Sequence, residues 1–468
     1  MGSDACCNPQ GIQTRGAILS TVQTVGMPKP QKEIKPKSSF AYKAVLALSI
    51  LYYARPEDVL PGLHYVPMAK IAGGLALIAL VFGMKKHRTI KKLPVELKLL
   101  LALFVHMCFT IPFAVWKGGA FDTVILKFSK GVIVAILVSM CVSSLAELKK
   151  LFWVQAASLA FMTFASILAH KEGRMVGVLG GIFENPNDLA INIAINWPFC
   201  FAFLLLATKW WKKVVWAFAM FVLTIGTVLT YSRSGFLAII LCGVMSLYHF
   251  GIKGKRMHLI MGAGTAVILL AVIAPAAGLY PKVWIARMES IVSDKVKGSM
   301  DNGSKEQRAE LLKLSIRYMT SYPIFGVGPG NFASSSGSWL IAHNTYTELG
   351  AEAGLPALLL FLLLLGRGFL NLMRIAKSEL YKTNTEVNIF TGAMIASWGA
   401  YVVGAAFSDT QYELFPYFMV AYTTVLYHMT CVFPKEDKEK SKLANGKGTM
   451  GGELAPVGER KPEFAWSR

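Results

Sequence analysis

Charge is scarce in this sequence. Asp, Glu, Lys and Arg together make up 16% of the 468 residues, against about 25% in ordinary soluble domains. Apolar residues reach 54%, the mean hydropathy is +0.48, and unbroken apolar runs such as Leu358 to Leu365 occur. This balance excludes a cytosolic enzyme and a disordered scaffold, and predicts a chain that crosses a membrane many times. The strand alternation of a membrane barrel is missing, so the spans must be helices that satisfy their own backbone. Cysteine is sparse: of seven, Cys108, Cys141, Cys200, Cys242 and Cys431 lie in apolar stretches and Cys6 and Cys7 are adjacent. That excludes a disulfide framework, and no metal-ligand spacing is present. No internal repeat is visible, which argues against an inverted-repeat transporter.

Acidic residues are scarcer than basic ones, 27 against 48, for a net charge of +21. In a soluble protein that surplus would point to nucleic acid; in a membrane protein it marks basic loops beside anionic lipid. A span needs about 20 mostly apolar residues. The sequence predicts twelve, near 40–54, 67–84, 96–116, 121–145, 148–169, 188–207, 213–231, 234–251, 257–279, 347–370, 386–407 and 412–433, with Lys127 and Lys130 interrupting the fourth. The even-numbered connections concentrate Lys and Arg, among them Lys85, Lys86, Lys149, Lys150, Lys212, Lys213, Lys253, Arg256, Arg374 and Lys382, while the short odd-numbered ones hold Arg55, Lys70, Lys117, Lys171, Arg174 and Arg233. By the positive-inside rule both termini are expected in the cytoplasm. The domain plan is then a polar cytoplasmic leader (1–38), helices one to nine (39–278), a periplasmic loop domain (279–345), helices ten to twelve (346–433) and a disordered cytoplasmic tail (434–468). The leader is too long for a cleavable signal peptide and lacks a myristoylation signal; a start at Met27 would shorten it.

The long outside loop is where chemistry is expected. Ser304-Lys305-Glu306-Gln307 fits a capping box, predicting a helix from about Lys305 to Thr320 with Leu312, Ile316 and Met319 on one stripe. Pro323 ends it, and Gly326-Val327-Gly328-Pro329-Gly330-Asn331-Phe332 predicts a turn-rich connection back to the membrane. The glycines do not make a phosphate loop, because no strand precedes them and no Lys-Ser/Thr follows. His343-Asn344 comes next, followed by Glu348 and Glu352. An imidazole near its usual pKa can take a proton from a hydroxyl at neutral pH, although a lone histidine at a helix start is also a common structural residue.

Arg233 sits in the short outside turn Tyr231-Ser232-Arg233-Ser234-Gly235. A cation there either snorkels to lipid phosphate or is aimed at an anionic substrate, whose oxygens its planar fork matches. Arg308 can supply a second such group, with Arg174, Arg287 and Arg317 as further candidates. Glu184-Asn185-Pro186-Asn187-Asp188 opens the sixth span. It reads either as a turn capped by Asn187 or, through Asn185 and Asn187, as hydrogen-bonding groups for sugar hydroxyls; Asn344 belongs with the latter.

Three pieces, in order, resemble the O-antigen ligase and O-antigen polymerase family of bacterial inner-membrane glycosyltransferases: Phe183 to Ala190, Tyr231 to Gly235, and Arg308 followed by Pro323 to Phe332 and His343 to Pro356. They cover about two-fifths of the chain. The resemblance implies an all-α membrane glycosyltransferase of the GT-C type, working in lipopolysaccharide biosynthesis with a periplasmic active site. It implies transfer of a glycan from undecaprenyl diphosphate to an acceptor hydroxyl with inversion, and with no cofactor, metal or nucleotide. In the family pattern Arg233 and Arg308 match the arginines that grip the diphosphate, and His343 matches the essential histidine, the general base. The implied acceptor is lipid A–core, with another lipid-linked repeat or a protein hydroxyl as alternatives. Tyr53-Ala54-Arg55-Pro56-Glu57-Asp58 is similar to a subgroup tied to exopolysaccharide or O-glycosylation systems. A transporter or flippase for the same lipid-linked sugars is the alternative of another class; it would want charges at mid-membrane and two related halves.

Overall fold

A computed structural model describes residues 39–56, 68–83, 93–171, 173–178, 183–262 and 302–435. Among them every regular element is helical. In chain order the longer helices are α1 (Phe40–Ala54), α2 (Met68–Gly83), α3 (Val95–Thr110), α4 (Lys117–Cys141), α5 (Leu145–Ala169), α6 (Pro186–Leu206), α7 (Trp210–Leu229), α8 (Arg233–Lys253), α9 (Asn302–Ser321), α10 (Thr345–Ile375), α11 (Thr385–Ala405) and α12 (Phe415–Tyr427).

Among the described residues eight helices are long and apolar enough to cross a membrane: α4 to α8, α10, α11, and α3 extended by one tight turn to Phe113. The predicted first, second and twelfth spans are the shorter helices α1, α2 and α12. The predicted ninth starts as a helix at Met257 and passes outside the described residues after Gly262. The leader 1–38, the tail beyond Lys435 and the first part of the large loop, including Arg287, also lie outside them. Lys127 and Lys130 do not break the fourth span. The chain absorbs them in a stretch of wider turns, Asp122–Phe128, and runs on to Cys141. The break after it falls earlier than expected, because Ser144 caps α5 through the Glu147 amide.

α6 is the hub, packed against α7, α8 and α11. Its apolar window is 78% buried and that of α7 only 28%, so α7 turns most of its surface to lipid while α6 is enclosed by protein. Small side chains and polar groups lock the hub. Gly235 of α8 lies so close to Ala190 that a Cβ there would fall 2.2 Å from the alanine methyl. Deeper down, Asn196 is bonded to Gln155 (2.6 Å), which accepts from Tyr422 (2.7 Å). Without a hydrophobic drive between helices in lipid, such contacts are what fix their arrangement.

Two expectations for the loop helix are corrected. α9 begins at Asn302, so Ser304 stands within it and is not its cap. Its buried stripe is Leu311, Leu314, Ser315 and Tyr318, packed with Phe332, Leu340, Ala342 and Ala351, while Ile316 is exposed. The stripe still repeats at i, i+3, i+4 and i+7, but it is set one residue earlier than predicted because Phe332 and α10 offer their apolar surface there.

Candidate active site

The glycine-rich connection acts as a docking piece. α10 is broken at Gly354, whose φ is +81°, and Gly326 has φ +66°. The chain lays its backbone into that break: Val327 N donates to Ala351 O (2.9 Å), Gly328 N to Glu352 O (2.8 Å) and Leu355 N to Pro323 O (2.7 Å). A Cβ on Gly326 would stand 2.3 Å from the Glu352 carbonyl carbon, and one on Gly354 would stand 2.2 Å from the Ile324 oxygen. Only glycine permits both the left-handed backbone and this approach. The Glu352 side chain completes the joint, accepting from Phe332 N (3.0 Å) and from Tyr412 Oη (2.7 Å).

His343 precedes α10 in a left-handed conformation, φ +53°, which is uncommon for a residue with a side chain. Its neighbours hold it there. Ala342 N donates to Glu348 Oε2 (2.9 Å). Asn344 caps α10 by accepting from the amides of Tyr346 (3.0 Å) and Thr347 (3.1 Å) and donates to Ala406 O (3.1 Å). Thr345 Oγ1 donates to Ser408 O (2.7 Å) and accepts from Thr410 N (2.9 Å). The imidazole is largely enclosed, and its Nδ1 is buried with no hydrogen-bond partner among the described residues. Burial, then the charge of Arg308, then that of Arg174, push its pKa down to about 4.

Arg174 is tied to the second patch. Its Nε donates to Thr230 O (3.0 Å) and its Nη2 to Asn187 Oδ1 (2.9 Å), and that same oxygen accepts from Ser232 Oγ (2.8 Å). Ser232 caps α8 through Gly235 N (3.2 Å), which makes Arg233 the first residue of that helix. The preceding Tyr231 has φ +49°. Asn185, not Asn187, caps α6, accepting from Asn187 N at 2.9 Å with Pro186 in the first turn. The correction has a simple cause: proline suits the first helical position, and Asn187, one residue on, is used for the Arg174–Ser232 contact.

Among the sequence candidates, then, Arg308 and Arg174 are electrostatically coupled to His343, and Arg174, Asn187 and Ser232 form one network that reaches the residue beside Arg233. Asn185 and Asn344 hold the helix starts that carry these groups. Arg317 is exposed and lies nine residues beyond Arg308, which at 3.6 residues per turn is roughly 180° around α9.

One segment at this site escaped the sequence analysis. Ser408 to Glu413 joins α11 to α12 and pins two helix starts: Ser408 Oγ donates to Asp188 Oδ1 (2.5 Å), and its backbone engages Thr345. Burial and the nearby Asp188 carboxylate raise Asp409 well above the usual carboxylate range and Glu413 to about 8. The available signal was six successive polar or ionisable residues between two apolar runs. Among the described residues no group of three or more His, Cys, Asp and Glu side chains stands close enough to hold a metal ion.

No curated protein matches the chain. Residues 218–362 match the family model described as O-Antigen ligase (Wzy_C). That stretch takes in Arg233, the docking glycines, Arg308 and His343, and over it the chain is similar to the O-antigen ligase family.

Proposed function

We propose that the protein transfers a glycan from undecaprenyl diphosphate to an acceptor hydroxyl, at the end of the bundle where α6, α8 and α10 begin. The observation that carries this reading is the pairing of cations with an uncharged imidazole: Arg308 and Arg174 both act on His343 and, with burial, keep it in its basic form at neutral pH. A guanidinium that stays charged suits a diphosphate, and a proton-free imidazole suits a hydroxyl.

In this reading Arg233, Arg308 and Arg174 bind the diphosphate and offset the charge that grows on it as it leaves. The acceptor oxygen attacks the anomeric carbon from the opposite face, the carbon–oxygen bond to the diphosphate breaks with its electron pair, and the configuration inverts. The acceptor proton passes to His343. With Nδ1 sealed in the protein, Nε2 is the nitrogen that receives it. Asn187 and Asn344 act as positioning residues, the first holding Arg174 against the start of α8 and the second fixing the start of α10. The chemistry is metal-independent, and the site faces the periplasm of the bacterial inner membrane with both termini in the cytoplasm; the distribution of Lys and Arg among the connections supports that orientation.

Lipid A–core is the acceptor we assign, in keeping with the ligase description of the matching domain. Polymerisation onto a second lipid-linked repeat and transfer to a protein hydroxyl use the same chemistry. The test is purified protein with an undecaprenyl-diphosphate-linked glycan and each acceptor in turn. His343→Ala should lower transfer by about a hundredfold or more, the usual contribution of a general base, while donor binding persists. Wild-type turnover in that variant would remove the assignment of the base. A transporter is disfavoured by the placement of Arg174 and Arg233 at or beyond the ends of apolar helices, and of Arg308 on the polar helix α9, instead of in the middle of an apolar helix.

A further inference from the structure

At the far end of α8 and α11 from His343 lies a cavity of about 190 Å³. α11 is 21 residues long, so the two sites are about 30 Å apart at 1.5 Å per residue. His249, Arg256, Tyr381, Lys382, Asn384 and Asn388 line the cavity, and among the described residues no carboxylate does. Of the carboxylates adjacent in sequence, Glu379 pairs with the exposed Lys382 Nζ at 2.9 Å, and Glu386 pairs with Lys149. An exposed pair such as Lys382–Glu379 is worth little, so Lys382 can turn inward at small cost.

We propose that this cavity binds a phosphate group, carried by an anionic phospholipid headgroup or present as inorganic phosphate. Size argues for a compact group. Whole small-molecule sites run to about 300–1,000 Å³, whereas this one holds the volume of about six waters, too little for a nucleotide or a glycan. Charge argues for an anion, since among the described residues every ionisable lining group is basic or phenolic. Arg256 supplies the planar donor fork that matches phosphate oxygens, and α11 opens at Thr385 with the positive end of its dipole toward the cavity.

The site is built, not a chance gathering of surface lysines. His249 is buried, and its ring fits because residue 392 has no side chain: a Cβ on Gly392 would lie 2.0 Å from the ring Cδ2. Arg256 is held by a tight turn after α8, where its amide donates to Gly251 O at 2.8 Å and Lys255 takes φ +52°. Asn384 is fixed as the cap of α11, accepting from Val387 N at 3.1 Å. By contrast Lys212 and Lys213, also basic and on α7, are exposed and line no part of the cavity.

The experiment uses the full chain, stripped of lipid in an uncharged detergent, with binding of short-chain phosphatidylglycerol and of inorganic phosphate measured separately and in competition. Arg256→Gln should weaken binding of the responding probe about tenfold, as expected for losing a charge-assisted contact, while Lys213→Gln stays within about twofold. Lys382→Gln, at an exposed position that folding does not need, repeats the comparison should Arg256→Gln fail to fold. Phosphatidylglycerol binding that phosphate does not displace identifies a lipid headgroup as the ligand. Binding of phosphate itself, lost in the variants, identifies the free ion. If neither probe binds, or both bind Arg256→Gln and Lys382→Gln as they bind the wild type, the proposal is overturned.

Discussion

The two ends of the bundle carry similar side chains and use them differently. Each has a histidine with an arginine and asparagines nearby. Around His249 the groups sit on the wide-turned end of α8, the tight turn at Lys255 and the start of α11, and among the described residues no carboxylate lines the cavity. Around His343 the chain is broken and strained, with left-handed residues at Tyr231 and His343, an unwound turn at Gly354, and carboxylates at Asp188, Glu348 and Glu352 buried below. Such backbone costs about 1–3 kcal/mol per residue and persists only where surrounding contacts over-determine it. Here the Asn344, Thr345 and Glu348 contacts do so. A positive rim held by discontinuous segments is suited to gripping a substrate that enters and leaves; a small cavity between two helix ends is suited to a small resident anion.

The sharpest way to break this comparison is one methyl group at each end. Gly326→Ala places a Cβ against the Glu352 backbone in a left-handed residue, and should destabilise the protein by about 2–4 kcal/mol from strain and overpacking together. Glycan transfer should be lost with it. Gly392→Ala meets the His249 ring first, so transfer should persist while phosphate binding falls. Thermal unfolding and transfer assays on both variants decide; equal loss of transfer in the two would erase the distinction.

A smaller effect is expected in the pH profile. His343 has its pKa depressed to about 4, so the base form is present above that value and is lost as pH falls through it. The ratio kcat/KM, which reports the free enzyme, should be level from pH 8 to about pH 5 and decline toward pH 4. A midpoint near 6.5 would show that the imidazole is not held as described. Arg308→Gln removes one of the two cations and should move the midpoint upward, whatever it does to the rate.

The smallest effects separate residues on one helix face from those on another. Asn187→Ala removes an acceptor shared by Arg174 and Ser232; about 1–3 kcal/mol is the usual cost of such a loss, and transfer should fall about tenfold. Arg317→Ala, on the opposite side of α9 from Arg308, should change transfer by less than about twofold. A larger loss there would mean that the donor reaches around that helix.

The apolar runs, the asymmetric loop charges and the three polar pieces were legible as text, because helix formation in lipid and charge placement at its surface depend on local composition. Local order also marked Pro323 to Phe332 as a turn, yet not what it turns against: the break at Gly354 is twenty-odd residues away and is filled by backbone, which leaves no signature in side-chain type. The same reason hid Ser408 to Glu413. Its role is to tie the starts of α6 and α10 together, a relation among segments some 60 to 220 positions apart. Composition and periodicity therefore determined that the chain folds into apolar helices and which polar segments interrupt them. Only the packing of distant segments decided which arginines face His343, which asparagine caps and which one holds a guanidinium, and that the imidazole stays uncharged, because burial and neighbouring charge are properties of the assembled rim and of no single stretch of chain.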